Sequence, residues 1–397
     1  MVDVNRLRDS WARVAAHGDQ VPLRFYSRLF VAHPEVRDLF PLSMAVQRDR
    51  LVTALGLVVS RVDELDELTP FLQQLGREHR KFAAQPGHYG AVGEALLATL
   101  ADFLDDIWTT ELATDWAQAY RLVAQVMIEA AEAAAAHSPP WWEAEVVAHE
   151  RRSFDIAVMV IRPGQPYVYV PGQSIPIESD LRPRVWRYYS PANAPRADGT
   201  IELHVRRALG GQVSSALVDQ AQVGDVLRLG APVGQMLALQ PPSGRDLLLL
   251  AGGTGLAPLK ALVDQVAAGT TNPGNPGGTG PGGDVRLFVG ARTARELYDI
   301  DGLRVLERKH TWLTVIPAIS DDTLHPHECG HVTDVALRLV PNPAEHDIYV
   351  CGSDQMVAVA LEQLRKAGCP PEQVHYESFL GLVEEASGGA VHLESEP

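Results

Sequence analysis

The apolar periodicity of this chain changes twice, and each change marks a different kind of fold. Over residues 3–136 apolar side chains recur at three- and four-residue spacing, and Gly and Pro are sparse. That is the pattern of helices burying one stripe each. The stretch closes in the Ala-rich run IEAAEAAAA, followed by His137-Ser138-Pro139-Pro140, a stop and linker. From Trp142 the apolar residues alternate, as in EAEVVAHE and PYVYVPGQ, and such runs read as strands. They continue to about Leu239, and Pro241-Pro242-Ser243-Gly244 breaks the chain again. From 246 the apolar runs DLLLLA, VRLFVGA, WLTVIPA and DIYVCG alternate with helical stretches, the signature of a parallel α/β sheet. Three domains are expected: all-α at 1–137, an antiparallel β-barrel at 138–243, and an α/β parallel-sheet domain at 244–397. The tract TTNPGNPGGTGPGG at 270–283 reads as a surface loop joining a helix to the second strand of that last domain.

Composition narrows the function. The formal net charge of −16 disfavours nonspecific contact with nucleic acid or anionic lipid. The three cysteines, Cys329, Cys351 and Cys369, all lie in the last quarter; they form no disulfide framework and fit a reducing cytoplasm. The opening MVDVNRLRDSW lacks an apolar signal core, and LLLLA at 247–251 is far too short to insert in a bilayer. A cytoplasmic protein acting on small molecules is the expectation.

Three polar residues in the helical third fall on apolar faces. Leu68, Leu72, Leu75, His79 and Phe82 share one helical stripe, so His79 points toward the core. Gln47 opens a second stripe with Leu51, Ala54 and Val58, and Tyr26 is flanked by Leu29 and Phe30 on a third helix. A lone inward His is more often a satisfied core residue than a metal ligand. With an inward Tyr and Gln on two other helices, the three could line opposite sides of a flat cofactor, the imidazole on iron and the donors facing dioxygen.

The stretches RFYSRLF, HPEVRDLF, QRDRL, REHRKF and HYGAVGEALLATL resemble the globin domain of bacterial flavohaemoglobins. The resemblance implies haem b held by His79, with Tyr26 and Gln47 as the distal polar residues. It also implies Leu51 as their apolar neighbour, Phe40 against the haem face, and Tyr89 in the proximal pocket. The family places a Glu on the last globin helix, in hydrogen-bond reach of the proximal His and Tyr. Here the matching position is Ala131, with Glu129 and Glu132 nearby.

In the middle third, Arg187, Tyr189 and Ser190 stand in the order R-x-Y-S after PGQSIPI. Aromatic face, polar edge contacts and a cation are what a flavin and its phosphates need. Gly210-Gly211-Gln212-Val213-Ser214 then opens a helix-like stretch, where backbone N–H groups can reach a pyrophosphate. Arg182, Arg184, Arg187, Arg206 and Arg207 form a basic cluster in an acidic chain. The set resembles the FAD domain of the ferredoxin-reductase superfamily; a solvated Arg face on a barrel is the plainer alternative.

In the last third, LLLLAGGTGLAPLKALV reads strand, glycine loop, helix. Gly252, Gly253, Thr254 and Gly255 allow close backbone approach to a dinucleotide diphosphate, and Pro258 sits in the first helical turn. Cys351-Gly352-Ser353 is similar to the family's C-G-P motif beside the nicotinamide, with Ser for Pro. Arg292 and Arg295 could contact the adenosine ribose or a 2′-phosphate of NAD(P)H. In YESF, Phe379 would cover the flavin ring, although the tail LGLVEEASGGAVHLESEP departs from the family's ending. His325, His327, Cys329 and His331 are metal-ligand types without a zinc spacing, and a solvated loop is expected there.

A nicotinamide gives two electrons and haem iron takes one at a time, so a flavin must stand between them. The resemblance implies NAD(P)H-driven nitric oxide dioxygenation, O2 and NO giving nitrate at haem, with electrons passing from NAD(P)H through FAD. Two alternatives stay open: a variant flavohaemoglobin with another electron donor or acceptor, and a haem-based oxygen or redox sensor with a reductase module.

Overall fold

A computed structural model describes residues 2–240, 243–269, 283–322 and 326–378. The chain up to Trp141 forms one compact unit, and the described residues from Trp142 onward form a second.

The first unit is helical throughout: α1 (Val4–Ala15), α2 (Gln20–Ala32), α3 (Ala45–Ser60), α4 (Leu65–His79), α5 (Pro86–Leu104) and α6 (Thr110–Ala135). The Asp3 side chain accepts from Arg6 N at the start of α1, and Thr109 does the same for Leu112 N at α6, each satisfying an orphan N–H of a first turn. Pro34 follows α2 and opens a short 3₁₀ turn to Leu39. The main core gathers Leu7, Trp11, Val14, Phe25, Tyr26, Leu29, Leu96, Leu100 and Trp116. A smaller cluster joins Leu68, Leu72 and Met127, with Leu75 and Tyr89 against it. Gly76 explains how α4 and α6 come so close: a Cβ there would overlap the backbone of Met127. Beyond α4, Arg80 donates to Ser138 Oγ at 2.9 Å, fastening the turn after His79 to the end of the unit.

The second unit begins with an antiparallel sheet. Its strands are β1 (Trp142–Arg151), β2 (Ile156–Pro163), β3 (Ile175–Ser179), β4 (Arg187–Tyr189), β5 (Ile201–Arg206) and β6 (Val226–Leu229), with α7 (Gln212–Asp219) after β5. The order is β4-β3-β6-β1-β2-β5. Pro191, just past β4, pairs with Leu203 of β5, so the sheet nearly closes into the expected barrel. Its interior holds Val146, Met159, Ile161, Ile175, Leu203 and Leu229.

A parallel sheet follows: β7 (Asp246–Gly252), α8 (Leu256–Ala267), β8 (Val285–Ala291), α9 (Ile300–Lys309), β9 (Leu313–Ile319), β10 (Glu328–Cys329), α10 (Val332–Leu339), β11 (His346–Gly352), α11 (Asp354–Lys366) and β12 (Val374–Ser378). The order is β10-β9-β8-β7-β11-β12. The chain lays strands outward from β7 on one side, then returns to place β11 on the other. The crevice beyond the carboxyl ends of β7 and β11 is therefore the topological switch point, where sheets of this kind take ligands. Barrel and sheet share one core: Ile156, Val158 and Leu237 pack with Leu249, Leu259, Val285 and Tyr349. The tract at 270–282, Phe379 and the tail after it lie outside the described residues. Among the described residues no helix is long and apolar enough to cross a membrane.

Candidate functional site

His79 is the last residue of α4. Its Nδ1 lies 2.7 Å from the backbone carbonyl of Leu75. A carbonyl only accepts, so Nδ1 carries the proton and Nε2 keeps its lone pair. Among the described residues Nε2 has no hydrogen-bond partner. Burial, the largest influence, pushes the imidazole pKa down, which keeps the ring neutral. A neutral imidazole with one nitrogen anchored on a carbonyl and the other bare is the form that ligates iron. Phe82 stands edge-on at 6.0 Å, and the buried Glu78–Lys81 pair at 3.2 Å braces the same turn. Tyr89 packs with Leu68, Leu72 and Leu75, on the His79 side of the unit. Its carbonyl accepts from the Tyr120 hydroxyl at 2.6 Å.

Tyr26 belongs to a different cluster. It is buried on α2, stacked on Phe30 at 5.7 Å and edge-on to Phe40 at 5.5 Å. Phe40 and Leu51 pack against the same core. The phenol donates a long bond, 3.4 Å, to the backbone carbonyl of Gln47 and also meets the Gln47 side chain. Burial outweighs the hydrogen bond with the Gln47 side chain and pushes its pKa up to about 12, so the group stays a donor at any ordinary pH. Gln47 sits at the start of α3 and is half-buried. On α6, Ala131 is half-buried one turn beyond Met127, while Glu129 and Glu132 face solvent. Glu129 accepts from Gln125 instead, at 2.6 Å. The partner of His79 is therefore a carbonyl and not a carboxylate.

In the barrel, the Ser190 hydroxyl lies 3.0 Å from that of Ser174, and burial raises the Tyr189 pKa well above the usual phenol range. Ile175 pairs with Tyr189 across β3 and β4, which fixes the side chains of the R-x-Y-S motif on one strand end. Gly210 has φ +72°, and a Cβ on Gly211 would press on Ser214 Oγ at 2.6 Å and Ala208 Cβ at 2.9 Å. The Ser214 hydroxyl accepts from Ala208 N at 3.0 Å, closing the glycine turn onto the first turn of α7. Val213 points into the barrel core, so only its N–H is left for a ligand. The basic cluster is dispersed: Arg206 pairs with Asp155 at 2.7 Å, and Arg207 lies over the Phe154 ring and 3.4 Å from Asp219.

At the switch point one glycine is required by backbone and two more make room for a neighbouring side chain. A Cβ on Gly255 would overlap the carbonyl of Cys351; one on Gly252 or Gly352 would strike the sulfur of Met356. Gly252 pairs with Gly290 across β7 and β8, and Gly352 with Ser378 across β11 and β12. The carboxyl ends of β7, β8 and β11 thus each carry a glycine at one level, with the Met356 sulfur against Gly252 and Gly352. Gly253 has φ +55°. Thr254 continues the turn and Pro258 is buried in α8. Cys351 is buried and burial drives its thiol pKa up, so it packs as a small apolar residue and is no nucleophile. Arg292, at the end of β8, is exposed and held 2.7 Å from Glu296. His331 is the N-cap of α10, and the described part of the 325–331 stretch gathers no set of metal ligands.

One polar cluster is not foreshadowed by any motif. Lys260, on α8, donates to Glu202 Oε1 at 2.8 Å and to Asp299 Oδ2 at 2.6 Å. His204 Nε2 lies 3.0 Å from Glu202 Oε1, and its Nδ1 lies 2.8 Å from the Tyr298 hydroxyl. Against its burial, the hydrogen bond from His204 and the charge and hydrogen bond of the Lys260 ammonium hold Glu202 far below the usual carboxylate range. The available signal was Lys260 itself, the sole charge in the run from Leu247 to Val263.

Three family models match successive segments of the chain. Residues 23–127 match the Globin family, 143–237 the Oxidoreductase FAD-binding domain, and 249–362 the Oxidoreductase NAD-binding domain. The chain is 30% identical over 388 residues to the flavohemoprotein of Bordetella parapertussis, covering 91% of this chain and 94% of that protein. Its fold is similar to a flavohemoglobin from Malassezia yamatoensis with bound FAD and heme (TM-score 0.70, 18% identity, 95% of this chain and 98% of that one). It is also similar to the FAD/NAD-binding domain of a nitric oxide dioxygenase from Vibrio cholerae (TM-score 0.51, 22% identity, 60% and 98%).

Proposed function

This chain belongs to the flavohaemoprotein family, and from that premise we propose that it is a cytoplasmic NAD(P)H-driven nitric oxide dioxygenase, in which His79, Tyr26 and the two glycine turns carry the work. When bound, haem supplies the metal at which O2 and NO combine to nitrate, and FAD converts a two-electron donor into single electrons.

The observation that carries the reading is the state of His79. Its Nδ1–H is spent on Leu75, which turns Nε2 outward from its own helix as a free lone pair. Tyr26 complements it. A phenol kept protonated by burial, whose own donation to the Gln47 carbonyl is long, can donate to an oxygen atom gaining negative charge. Phe30 and Phe40 keep water from that donor. Gln47 and Leu51 sit on the helix beside it, and Tyr89 supports the opposite side. In the second unit Gly210, Gly211, Gln212, Val213 and Ser214 would hold the flavin diphosphate with backbone N–H groups, while Arg187, Tyr189 and Ser190 meet the ring end. Gly252 to Gly255, Cys351 and Gly352 would admit the nicotinamide nucleotide at the switch point.

The ring of His79 is hydrogen-bonded to a carbonyl and, among the described residues, to no carboxylate, which bears on which chemistry is favoured. A carbonyl partner leaves the imidazole a weaker electron donor than a carboxylate partner would. That suits holding O2 for reaction with NO over breaking the O–O bond. The test is a visible spectrum of the purified chain before and after NADH under CO, followed by NO consumption. A Soret band that shifts with CO, flavin absorbance that bleaches, and NADH-dependent NO loss far above simple oxyhaem decay are expected. A bleaching flavin with no NO turnover would refute the assignment and favour the sensor.

A further inference from the structure

The buried charges around Lys260 form a set that resembles a metal site, because ligand atoms of Glu202, His204 and Asp299 all lie within 4.8 Å of one another. A cation is already there. The Lys260 ammonium touches both carboxylates, and both ring nitrogens of His204 are engaged, one on Glu202 and one on Tyr298. Arg196 closes the outer oxygen of Glu202 at 3.0 Å, and Arg152 stands 3.7 Å from Asp299.

The placement of these groups is informative. Glu202 is on β5 of the barrel. Asp299 precedes α9 in the sheet lobe, where its backbone carbonyl accepts from Leu303 N. Lys260 is in the second turn of α8, the helix that grows out of the glycine turn at 253–255. The amino end of α8 meets β5 a second time: a Cβ on Gly253 would come within 3.0 Å of Arg206 Nη1. Arg206 is the last residue of β5 and is itself fixed by Asp155. One strand therefore meets the nucleotide-facing helix at two points, four residues apart. Its Leu203 also pairs with Pro191, next to Tyr189 and Ser190. β5 is the shared rail on which the flavin-facing strand end and the nucleotide-facing turn are both mounted.

We propose that Lys260 is a positioning residue for hydride transfer: by gripping Glu202 of the barrel and Asp299 of the sheet lobe together, its ammonium fixes the glycine turn relative to the strand end that would hold the flavin. The inference rests on the nicotinamide–flavin reading given above. Burying an ammonium and two carboxylates is costly and rarely favours stability over an apolar core. What such a set supplies is a fixed distance, and hydride transfer is steep in distance.

The test compares the full-length chain with Lys260→Met, Lys260→Arg and Glu202→Gln. Glu202→Gln keeps the shape but cuts the barrel half of the grip, and it serves if Lys260→Met does not fold. Two readouts are used. Hydrogen exchange without nucleotide should show amides of 201–206 and 253–260 losing protection, with β8 and β9 unchanged. Stopped-flow flavin bleaching by NADH should show a limiting rate lowered by roughly tenfold to a hundredfold, with little change in NADH affinity and a larger deuterium isotope effect from 4-deuterated NADH. Lys260→Arg should restore most of the rate. Loosened exchange with an unchanged limiting rate would overturn the proposal, leaving Lys260 a structural residue. Unchanged exchange and rate would overturn it outright. A wild-type chain whose flavin does not bleach with NADH or NADPH would instead sink the nicotinamide–flavin reading on which it stands.

Discussion

The two units treat buried polar groups in opposite ways. In the helical unit the Tyr26 phenol donates only at long range, to the Gln47 carbonyl, and His79 is bonded at one nitrogen, to the Leu75 carbonyl, leaving the other over. In the second unit Lys260, Glu202, Asp299 and His204 use almost every donor and acceptor on each other. A buried group left short of partners is costly, so where it persists a ligand is expected to complete it. A saturated cluster leaves nothing for a ligand and acts by holding backbone in place.

The largest effect should come from the most exposed deficit. His79→Ala removes the one candidate iron ligand on α4; the Soret band should collapse or move to that of loosely held haem. Flavin bleaching by NADH should be untouched. A normal CO-shifted Soret band in this variant would break the contrast at its base. Second, Gly255→Val should overlap the Cys351 carbonyl, shift the switch point, and cut NADH-driven flavin reduction on the order of a hundredfold. The haem spectrum should be intact. Equal damage to both units would show that the sites are not separately built.

Third, the Tyr26 phenol has its folded pKa raised to about 12, against about 10 when unfolded. For a raised group the stability is whole below the unfolded value and drains away as pH climbs from about 10 to about 12. The loss amounts to about 2.7 kcal/mol over that window. Urea melts at pH 9 and 12 should show it in the wild-type chain and show a smaller loss in Tyr26→Phe. Equal pH dependence in both would mean that the phenol is not held from ionising. Fourth, Tyr26→Phe should raise the O2 off-rate and slow NO consumption by about tenfold, the worth of one hydrogen bond to a charge-bearing atom. An unchanged off-rate would remove Tyr26 from the site. Smallest, Arg292→Ala should leave the melting temperature unchanged, since its pair with Glu296 is at the surface. It should raise the KM for NADPH more than for NADH. Equal KM shifts would exclude a 2′-phosphate role.

What the sequence disclosed follows the same division. Periodicity placed Tyr26 and His79 inward because a helix imposes one angle per residue on every side chain, whatever it packs against. The alternating runs likewise read as the barrel, and the four apolar runs as β7, β8, β9 and β11. Glycine turns were legible because few residues but Gly tolerate φ +72° at 210 or the Cys351 carbonyl at 255. The position of Gln47 was harder: an N-terminal residue of α3 has few neighbours to define its face, and both its carbonyl and its side chain meet Tyr26. The Lys260 cluster was out of reach. Its members come from three segments, 202–204, 260 and 298–299, and no local pattern records that three segments meet.

The order of strands in the parallel sheet also constrains how this chain comes to be folded. β11 sits directly against β7, yet about a hundred residues separate the turn at 253 from the one at 352, and β8 to β10 must be laid down between them. Loop-closure entropy rises only with the logarithm of length, so the separation costs the finished protein little. It delays assembly, because pairings far apart in sequence form late. On a ribosome the helical unit is complete before β7 exists, and the pair of turns at the crevice closes only once His346 to Gly352 has been made. A newly made chain would thus reach the stage of taking up its porphyrin well before it had any route for electrons to it.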